Sequence, residues 1–328
     1  MRILVTGGAG YIGSHTVRML EQSAGQVVVF DNLAKGHRQA VGTENFVEGD
    51  LFDTELLAAT IRKHEIDAVV HFAAFSLVGE SMVQPRAYYH NNVQGTLNLL
   101  NTMLDNGVNK LVFSSTAAVY GEPAEVPITE ACATNPTNVY GRTKLMMEHI
   151  MSDYATAHGL NYIALRYFNA CGAHPYGDIG EDHDPETHLI PLILQTCMGR
   201  RDSIKIFGSD YPTKDGTCVR DYIHVDDLAQ AHVLALQALN DGRPSTVYNL
   251  GNGCGFSVRE VIAAAERVTK RPVRREEAAR RPGDPAVLIA GSGKIRAELG
   301  WQPQYRDIER IIETAWQWHQ HHPDGFDE

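Results

Sequence analysis

Tyr140 and Lys144 are four residues apart in a predicted helix over residues 140–158, so their side chains share one face. A tyrosine with an ordinary pKa of about 10 is a poor base at neutral pH. A neighbouring ammonium favours the phenolate, and such a pair can take a proton from an alcohol and return it. Thr116, which closes the run Ser-Ser-Thr at the end of a predicted strand, could orient that alcohol. A tyrosine and a lysine at this spacing also arise by chance, so a catalytic interpretation of the pair depends on the rest of the sequence.

That context is a glycine-rich turn near the start of the chain, with glycines at positions 7, 10 and 13 in the pattern G-x-x-G-x-x-G. It follows a predicted strand and opens a helix, whose free N–H groups can receive a pyrophosphate. Asp31 ends the second predicted strand and can accept hydrogen bonds from both adenosine ribose hydroxyls. Its charge repels a 2′-phosphate, so NAD is favoured over NADP. Asp50, after the third strand, is a candidate for the adenine amine or for a strand-end cap.

Two element patterns divide the chain. The first half alternates apolar runs with amphipathic stretches, which is typical of a doubly wound parallel sheet with helices on both faces. Its predicted strands cover residues 3–6, 27–31, 46–50, 68–72, 110–115 and 163–166, and its helices 13–22, 54–64, 88–106 and 140–158. We therefore predict a dinucleotide-binding α/β Rossmann domain over 1–168 and a smaller α+β lobe over 169–328.

The second lobe is less regular. It begins with a loop over 173–187 and contains a helix at 226–239, a strand at 247–250 and a last helix from about 307 to 318. Some of these segments are candidates to rejoin the large sheet.

Composition limits the class of protein. Of 328 residues, 29 are Lys or Arg and 40 are Asp or Glu, a formal charge of −11, which disfavours nucleic-acid and anionic-membrane partners. Hydrophobic residues make up 43%, and no apolar run approaches the ~20 residues of a membrane span. The N-terminus does not resemble a signal peptide. Five widely spaced cysteines, none in a C-x-x-C pair, predict free thiols and a cytoplasmic location.

Longer motifs carry a family resemblance that runs from end to end. They are V-T-G-G-A-G-Y-I-G-S-H at 5–15, D-N-L at 31–33, H-F-A-A at 71–74, V-G-E-S at 78–81, N-N-V-Q-G-T at 91–96, F-S-S-T-A-A-V-Y-G at 113–121, R-Y-F-N at 166–169, D-Y-P-T-K-D-G-T at 210–217, V-R-D-Y-I-H-V at 219–225 and R-R-P-G-D at 280–284. With these motifs the chain closely resembles the UDP-glucose 4-epimerases, a family within the extended short-chain dehydrogenase/reductases. The resemblance implies tightly held NAD, a UDP-hexose substrate and a homodimer.

The same resemblance implies a role for each matching residue. Tyr140 would act as acid and base at the sugar 4-hydroxyl. Lys144 would hold the pKa of Tyr140 down and bind the nicotinamide ribose, and Thr116 would orient the sugar O4. The 4-keto sugar would then turn over, so that the hydride returns to its opposite face. The implied cofactor residues are Gly7, Gly10, Tyr11, Ile12, Gly13, Asp31, Asn32, Asp50, Leu51, Phe72, Ala73, Ala74, Asn92 and Lys144. The implied substrate residues are Thr116, Tyr140, Asn169, His188, Leu189, Lys205, Phe207, Arg220, Arg281 and Asp284.

Three positions depart from the family pattern. Ser76 stands where some members carry a lysine, and His188 stands where others carry an asparagine. Leu288 lies near a position at which the size of the side chain is associated with admitting N-acetylated sugars. The leucine side chain is neither the largest nor the smallest found there. Acceptance of UDP-N-acetylhexosamines therefore stays open.

Other functions compete with this one. Nucleotide-sugar dehydratases place an Asp-Glu pair after the strand-end threonine, whereas this chain has Ala117 and Ala118, which argues against elimination. UDP-glucuronate epimerisation and a non-catalytic, NAD-binding regulatory role remain alternatives. The C-terminal run Trp316–His322 contains three histidines, but packed tryptophans and solvated histidines are favoured there, and no metal site is predicted. The apolar residues of the helix over 88–106 suit either a dimer interface or the core.

Overall fold

A computed structural model describes residues 1–23, 25–281 and 283–326 of the chain; Pro282 of the R-R-P-G-D motif lies outside them. Its strands, in chain order, are β1 (Arg2–Thr6), β2 (Gln26–Asp31), β3 (Phe46–Glu48), β4 (Ala68–His71), β5 (Lys110–Thr116), β6 (Asn161–Tyr167), β7 (Asn169–Cys171), β8 (Ile204–Phe207), β9 (Val219–His224), β10 (Thr246–Leu250), β11 (Gly255–Ser257), β12 (Arg275–Ala278) and β13 (Val287–Leu288). Its helices are α1 (Tyr11–Gln22), α2 (Thr54–Lys63), α3 (Val78–Val83), α4 (Pro85–Tyr88), α5 (Gly95–Asp105), α6 (Val139–His158), α7 (Leu189–Cys197), α8 (Val225–Asn240), α9 (Val258–Thr269), α10 (Gly293–Leu299) and α11 (Ile308–His321).

Seven parallel strands form the large sheet in the order β10-β6-β5-β4-β1-β2-β3. Their continuous apolar runs need cover on both faces. One face packs on α1 and α8, and the other packs on α2, α5 and α6. The predicted fold class is confirmed: this is a doubly wound α/β sheet. Successive strands extend the sheet in one direction from β1 to β3 and in the opposite direction from β4 onward, so the crevice for a ligand lies beyond the carboxyl ends of β1 and β4.

The helix predicted over 88–106 is not a regular α-helix throughout. Its first part, Tyr89–Gln94, is a π-helical stretch between α4 and α5. Asn92 in this stretch is fully buried and hydrogen-bonds both backbone groups of Phe75. Leu99, Leu100 and Met103 of α5 are fully buried in the core, so these apolar residues serve packing.

The second lobe is built on a small mixed sheet. β9 pairs with β7, β11 and β13, and a separate parallel pair joins β8 to β12. α7, α9 and α11 cover these strands with a third apolar core. α8 and β10 follow β9 in the chain but belong to the large sheet and its helical layer. The division at residue 168 stays a prediction, because the chain crosses between the two regions more than once.

Within the described residues, no helix has both the length and the apolar character needed to cross a bilayer.

Candidate active site

A cavity of about 550 Å³ lies where the carboxyl ends of the large sheet face the second lobe. One wall comes from the segments that follow β1, β2, β3, β4, β5 and β6. The opposite wall comes from residues 181–188, Arg220 and 283–288. This is the position in which an open α/β sheet binds its ligands.

The glycine turn at the floor of this cavity has no room for side chains at two positions. Gly7 has φ +72°, and a Cβ there would lie 2.5 Å from the backbone nitrogen of Ala73. A Cβ on Gly13 would lie 2.2 Å from the carbonyl oxygen of Gly7. Gly10, the residue before α1, makes no side-chain cap to the first N–H groups of the helix, and the residues from Gly10 to Gly13 line the cavity. The turn therefore suits a diphosphate that approaches the backbone closely.

Asp31 is positioned by the same turn. Its carboxylate accepts hydrogen bonds from the N–H groups of Ala9 at 2.9 Å and Leu33 at 2.8 Å. Burial raises the pKa of Asp31, and these backbone bonds oppose that effect. Asp31 and Asn32 both line the cavity, where their remaining acceptor sites can meet ribose hydroxyls.

Asp50 forms the strand-end cap, and its contact with an adenine amine stays a prediction. It lines the cavity, and it also accepts hydrogen bonds from the N–H of Phe52 at 2.9 Å and the Asn32 amide at 2.7 Å. The strand-end cap is thus formed, and the carboxylate still borders the space for a ligand.

Tyr140, Lys144 and Thr116 meet at the centre of the cavity. The hydroxyl of Thr116 lies close enough to the Tyr140 phenol to lower its pKa, and it also accepts a hydrogen bond from the N–H of Ala118. The ammonium of Lys144 lies 6.0 Å from the centroid of the Tyr140 ring and donates to the carbonyl oxygen of Ser114 at 2.8 Å. Asn138 caps α6 by accepting from the N–H of Gly141, which fixes the turn that carries the tyrosine.

Burial dominates the pKa of Tyr140 in the protein alone. It raises the pKa to about 12, although the nearby Thr116 hydroxyl opposes the shift. Burial also lowers the pKa of Lys144 to about 7, against the attraction of Glu148. In the protein alone the Lys144 ammonium does not offset the desolvation of the phenol, and the joint effect of Lys144 and a nicotinamide charge on the Tyr140 pKa stays a prediction. A further positive charge in the cavity is needed to favour the phenolate.

α6 is fixed against the sheet by a buried ion pair. Glu148, one turn beyond Lys144, pairs through both carboxylate oxygens with Arg166 of β6. Ser115 donates to the same carboxylate, and Arg166 donates to the Tyr120 hydroxyl at 2.8 Å. This network sets the position of the helix that carries the tyrosine and the lysine.

On the second-lobe side, Asn169, Arg220, Asp284 and His188 line the cavity. Arg220 forms an ion pair with Asp284, and Asn169 donates to the carbonyl oxygen of Asp221 at 2.8 Å. Other residues expected at the ligand lie outside the cavity wall: Asn92, Leu189, Lys205, Phe207 and Arg281. Among these, the Arg281 guanidinium lies 3.9 Å from the centroid of the Phe207 ring.

The model of the NAD dependent epimerase/dehydratase family matches residues 3–251. The chain belongs to this family. A UDP-glucose 4-epimerase of Halalkalibacterium halodurans is 56% identical over 326 residues, which cover 99% of this chain and 98% of that protein. The structure of UDP-glucose 4-epimerase from Brucella ovis in complex with NAD has a TM-score of 0.94 and 49% identity, covering 96% of this chain and 97% of that one. The structure from Bifidobacterium longum in complex with NAD+ and UDP has a TM-score of 0.93 and 39% identity, covering 99% and 100%.

Within this epimerase/dehydratase fold, the positions that distinguish the reaction classes lie in the wall. Ala117 and Ala118 line the cavity beside Thr116, so no carboxylate pair follows the strand-end threonine. Ser76 and Leu288 line it as well, at opposite sides of the ligand space. Elimination chemistry lacks its acid and base at the expected position.

Lys35, Glu181 and His183 are among the wall residues that sequence reasoning missed. Lys35 donates to the carbonyl oxygen of Asp184 at 2.7 Å, which joins the dinucleotide side to the second lobe. Glu181 and His183 belong to the segment E-D-H-D-P-E-T-H at 181–188, in which acids and imidazoles recur. This recurrence of acids and histidines in a predicted loop was the sequence feature that could have indicated wall residues here.

The C-terminal histidines and tryptophans occupy different environments. Trp318 is buried, and His322 stacks on it with ring centroids 3.9 Å apart. Trp316 lies under the Arg271 guanidinium at 5.4 Å. Both tryptophans thus pack on neighbouring residues, while His321 is exposed.

Proposed function

We propose that the protein interconverts UDP-galactose and UDP-glucose by transient oxidation at C4 of the sugar. The observation that carries this proposal is the meeting of Tyr140, Lys144 and Thr116 over the glycine turn in one cavity. Similarity to UDP-glucose 4-epimerases over nearly the whole chain supports the substrate class.

The cavity suits NAD. Gly7 and Gly13 leave backbone free for a close approach of the diphosphate, and Asp31 offers a carboxylate at the end of β2. NAD, when bound, supplies the hydride acceptor and donor for C4 and a positive charge beside the reacting sugar. We assign the phosphates to the N-terminus of α1 and the adenosine ribose to Asp31 and Asn32. Gly10, Tyr11, Ile12, Asp50, Leu51, Phe72, Ala73 and Ala74 complete the proposed cofactor wall, with Asn92 supporting it through Phe75.

Tyr140 moves the proton in this proposal. Its phenolate takes the proton from the sugar 4-hydroxyl as C4 becomes a ketone, and the phenol returns that proton when the alcohol forms again. Thr116 holds the oxygen at C4 by a hydrogen bond. Lys144 binds the nicotinamide ribose and adds its charge to the field that favours the phenolate.

Inversion requires the 4-keto sugar to present its other face between the two hydride steps. The cavity extends from the tyrosine to the second lobe, which leaves room for that turn around the tethered nucleotide. We assign the UDP part to the second lobe. Arg220 is the proposed diphosphate contact, because a guanidinium pairs with phosphate oxygens. The other proposed contacts are Asn169, His188, Leu189, Lys205, Phe207, Arg281 and Asp284.

We also propose a homodimer. Val83 on α3 is 75% exposed and Met82 beside it is 54% exposed, while Met146 on α6 is 42% exposed. α3 and α6 are in contact, so these apolar side chains belong to one region of the surface. Val83→Lys is expected to lower the molar mass found by light scattering. Tyr176→Lys, at a position equally exposed on the second lobe, should leave it unchanged; an unaltered mass for Val83→Lys would contradict this interface.

A cytoplasmic location is the final part of the proposal. All five cysteines carry free thiols, the state that reducing compartments maintain.

The decisive experiment uses purified protein, UDP-galactose and no added nucleotide, with anomeric proton signals followed by NMR. Appearance of UDP-glucose is expected, and it supports both the reaction and a retained cofactor. Parallel samples with UDP-N-acetylgalactosamine and UDP-glucuronate define the substrate range. If no sugar is converted even after NAD is added, the epimerase assignment is overturned; NAD retained without turnover then favours a regulatory role.

A further inference from the structure

Four side chains of the segment 181–188 converge on one point in the cavity wall. They are Glu181, His183, Glu186 and His188, and one ligand atom from each lies within 4.8 Å of all the others. Two imidazoles and two carboxylates form a mixed donor set, which is more selective than a cluster of acids. None of the four is needed for the acid–base chemistry of Tyr140.

The spacing of these atoms matches one small ion. The Nδ1 atom of His183 lies 3.3 Å from Glu181 Oε1 and 3.6 Å from Glu186 Oε2. The Nδ1 atom of His188 lies 2.9 Å from Glu181 Oε1 and 2.9 Å from Oε1, the other carboxylate oxygen of Glu186. Ligands at about 2.0–2.1 Å around a tetrahedral Zn²⁺ are separated by roughly 3.3 Å. The observed distances scatter around that value.

Two of the four ligand atoms form no hydrogen bond of acceptable geometry among the described residues. They are Oε1 of Glu181 and Nδ1 of His183, and both are buried. The side chain of Glu181 is only 5% exposed, so this oxygen is also removed from water. The two imidazoles, 2.9 and 3.3 Å from this oxygen, can balance its charge when they are protonated, and a divalent ion that displaces their protons would keep that balance while it supplies a direct bond to both atoms.

Surrounding contacts hold the donors in place. Glu186 accepts hydrogen bonds from the N–H groups of Thr187 at 2.6 Å and His188 at 2.7 Å. The indole of Trp318 on α11 donates to the carbonyl oxygen of Glu181 at 3.2 Å. Outer contacts of this kind orient ligands before an ion arrives.

We propose that Glu181, His183, Glu186 and His188 bind one divalent transition-metal ion of the Zn²⁺ class. Four protein ligands fill a tetrahedral shell, so the ion is structural and does not itself bind substrate. The Nδ1 atom of His188 faces the carboxylates, which leaves Nε2 of the same ring for the proposed substrate contact. It ties the start of α7 to the loop under α11. His183 and the adjacent Tyr11 have ring centroids 6.0 Å apart, so the site also braces the glycine turn. Imidazole ligands disfavour Mg²⁺ and Ca²⁺ here.

The test measures metal content on untagged, full-length protein. Chelator-treated protein is incubated with excess Zn²⁺, passed through a desalting column and analysed by inductively coupled plasma mass spectrometry. About one ion per chain is expected for the wild type, and a melting temperature that rises with Zn²⁺. Co²⁺ in place of Zn²⁺ is expected to give the intense visible absorption of a tetrahedral site.

Two variants locate the ion. His183→Ala with His188→Ala removes both imidazoles, and Glu181→Gln keeps the size of the side chain while it removes a charge. Both are expected to lose the retained ion and the Co²⁺ absorption. His321→Ala is the control, because it deletes an exposed histidine of the C-terminal run, and it should retain the ion.

If the wild type retains no more metal than the double variant, the four groups form only an ion-paired cluster and the proposal is overturned. Loss of the ion in the control variant would overturn it equally, because a C-terminal histidine would then be a ligand. Circular dichroism of each variant separates loss of the site from loss of the fold. The readout is metal content, so failure of the proposed epimerase function would not affect it.

Discussion

The Lys144 ammonium lies one helical turn beyond Tyr140 on α6, 6.0 Å from the centroid of its ring. Both groups are buried, and burial moves each towards its neutral form: the pKa of the tyrosine rises to about 12 and the pKa of the lysine falls to about 7. Burial therefore favours the neutral form of both groups. We expect Tyr140 to transfer a proton only when the cavity also holds a positive charge and a substrate.

Replacing the phenol tests its role directly. Tyr140→Phe removes the proton acceptor and is expected to lower kcat by roughly 10²–10⁴-fold, with the NAD content unchanged. Steady-state assays and cofactor extraction measure the two quantities. Tyr154→Phe, on the same helix but with its hydroxyl donating to Asn101 at 2.8 Å, should behave as wild type. A Tyr140→Phe protein with wild-type turnover would exclude the assigned role.

Lys144 makes stability depend on pH. Since its folded pKa is about 7 against an ordinary 10.5, the unfolded chain binds more protons between those values, and stability rises with pH there. Lys144→Met lacks this contribution. The unfolding free energy of cofactor-free wild type, relative to the variant, is therefore expected to rise by about 3 kcal/mol from about pH 7 to about pH 9.5. Urea denaturation of both proteins measures it; a flat difference would mean that the lysine titrates normally.

Glu148 and Arg166 form a buried ion pair between α6 and β6. Arg310 and Glu313 on α11 form an exposed pair that serves as its comparison. Glu148→Gln leaves the buried guanidinium without its anion and is expected to cost about 3 kcal/mol in the free energy of unfolding. Glu313→Gln should cost less than about 1 kcal/mol. Equal losses of unfolding free energy in the two variants, measured by urea denaturation, would show that the buried pair stabilises α6 no more than an exposed pair does.

Gly13 tests the turn. Gly13→Ala places a methyl group 2.2 Å from the Gly7 carbonyl oxygen, so the purified protein is expected to lose most of its NAD. Overpacking of this kind also destabilises by about 1–3 kcal/mol. Gly293→Ala, at the start of α10 with open space around it, is the control and should change neither quantity. Full cofactor content in Gly13→Ala would mean that the backbone of the turn can shift to accommodate the methyl group and still bind NAD.

Asp31 is expected to hold the adenosine ribose. Asp31→Ala removes a charged acceptor, so affinity for NAD should fall by roughly 10- to 100-fold when measured by calorimetry on stripped protein. Asp153→Ala, exposed on α6, controls for the loss of one negative charge. Unchanged affinity would move the ribose contact elsewhere.

Local pattern was enough for six of the seven strands of the large sheet and for the shared helix face of Tyr140 and Lys144. Strands such as β2 are continuous apolar runs, and Tyr140 and Lys144 need only helical spacing to share a face. The strands of the second lobe were harder. β12 is mostly exposed and β13 has two residues, and both exist only through pairing with distant segments.

Burial explains the other differences. The neighbouring charge of Lys144 was visible in the sequence, but the desolvation that raises the Tyr140 pKa depends on the surrounding fold. The convergence of Glu181 and His188 likewise depends on how a loop folds beneath α11. Sequence spacing alone does not distinguish such a loop from a solvated one.

The return of the chain to the large sheet at β10 has a thermodynamic consequence. β10 at one edge of the large sheet and α8, which packs on α1, are both made from residues beyond 224. They follow β7, β8 and β9 of the second lobe in the chain. Neither region can melt while the other stays intact, because each would lose a packed element. We therefore expect heating to give one cooperative calorimetric peak, and a chain cut after residue 168 to yield two fragments that fold only together.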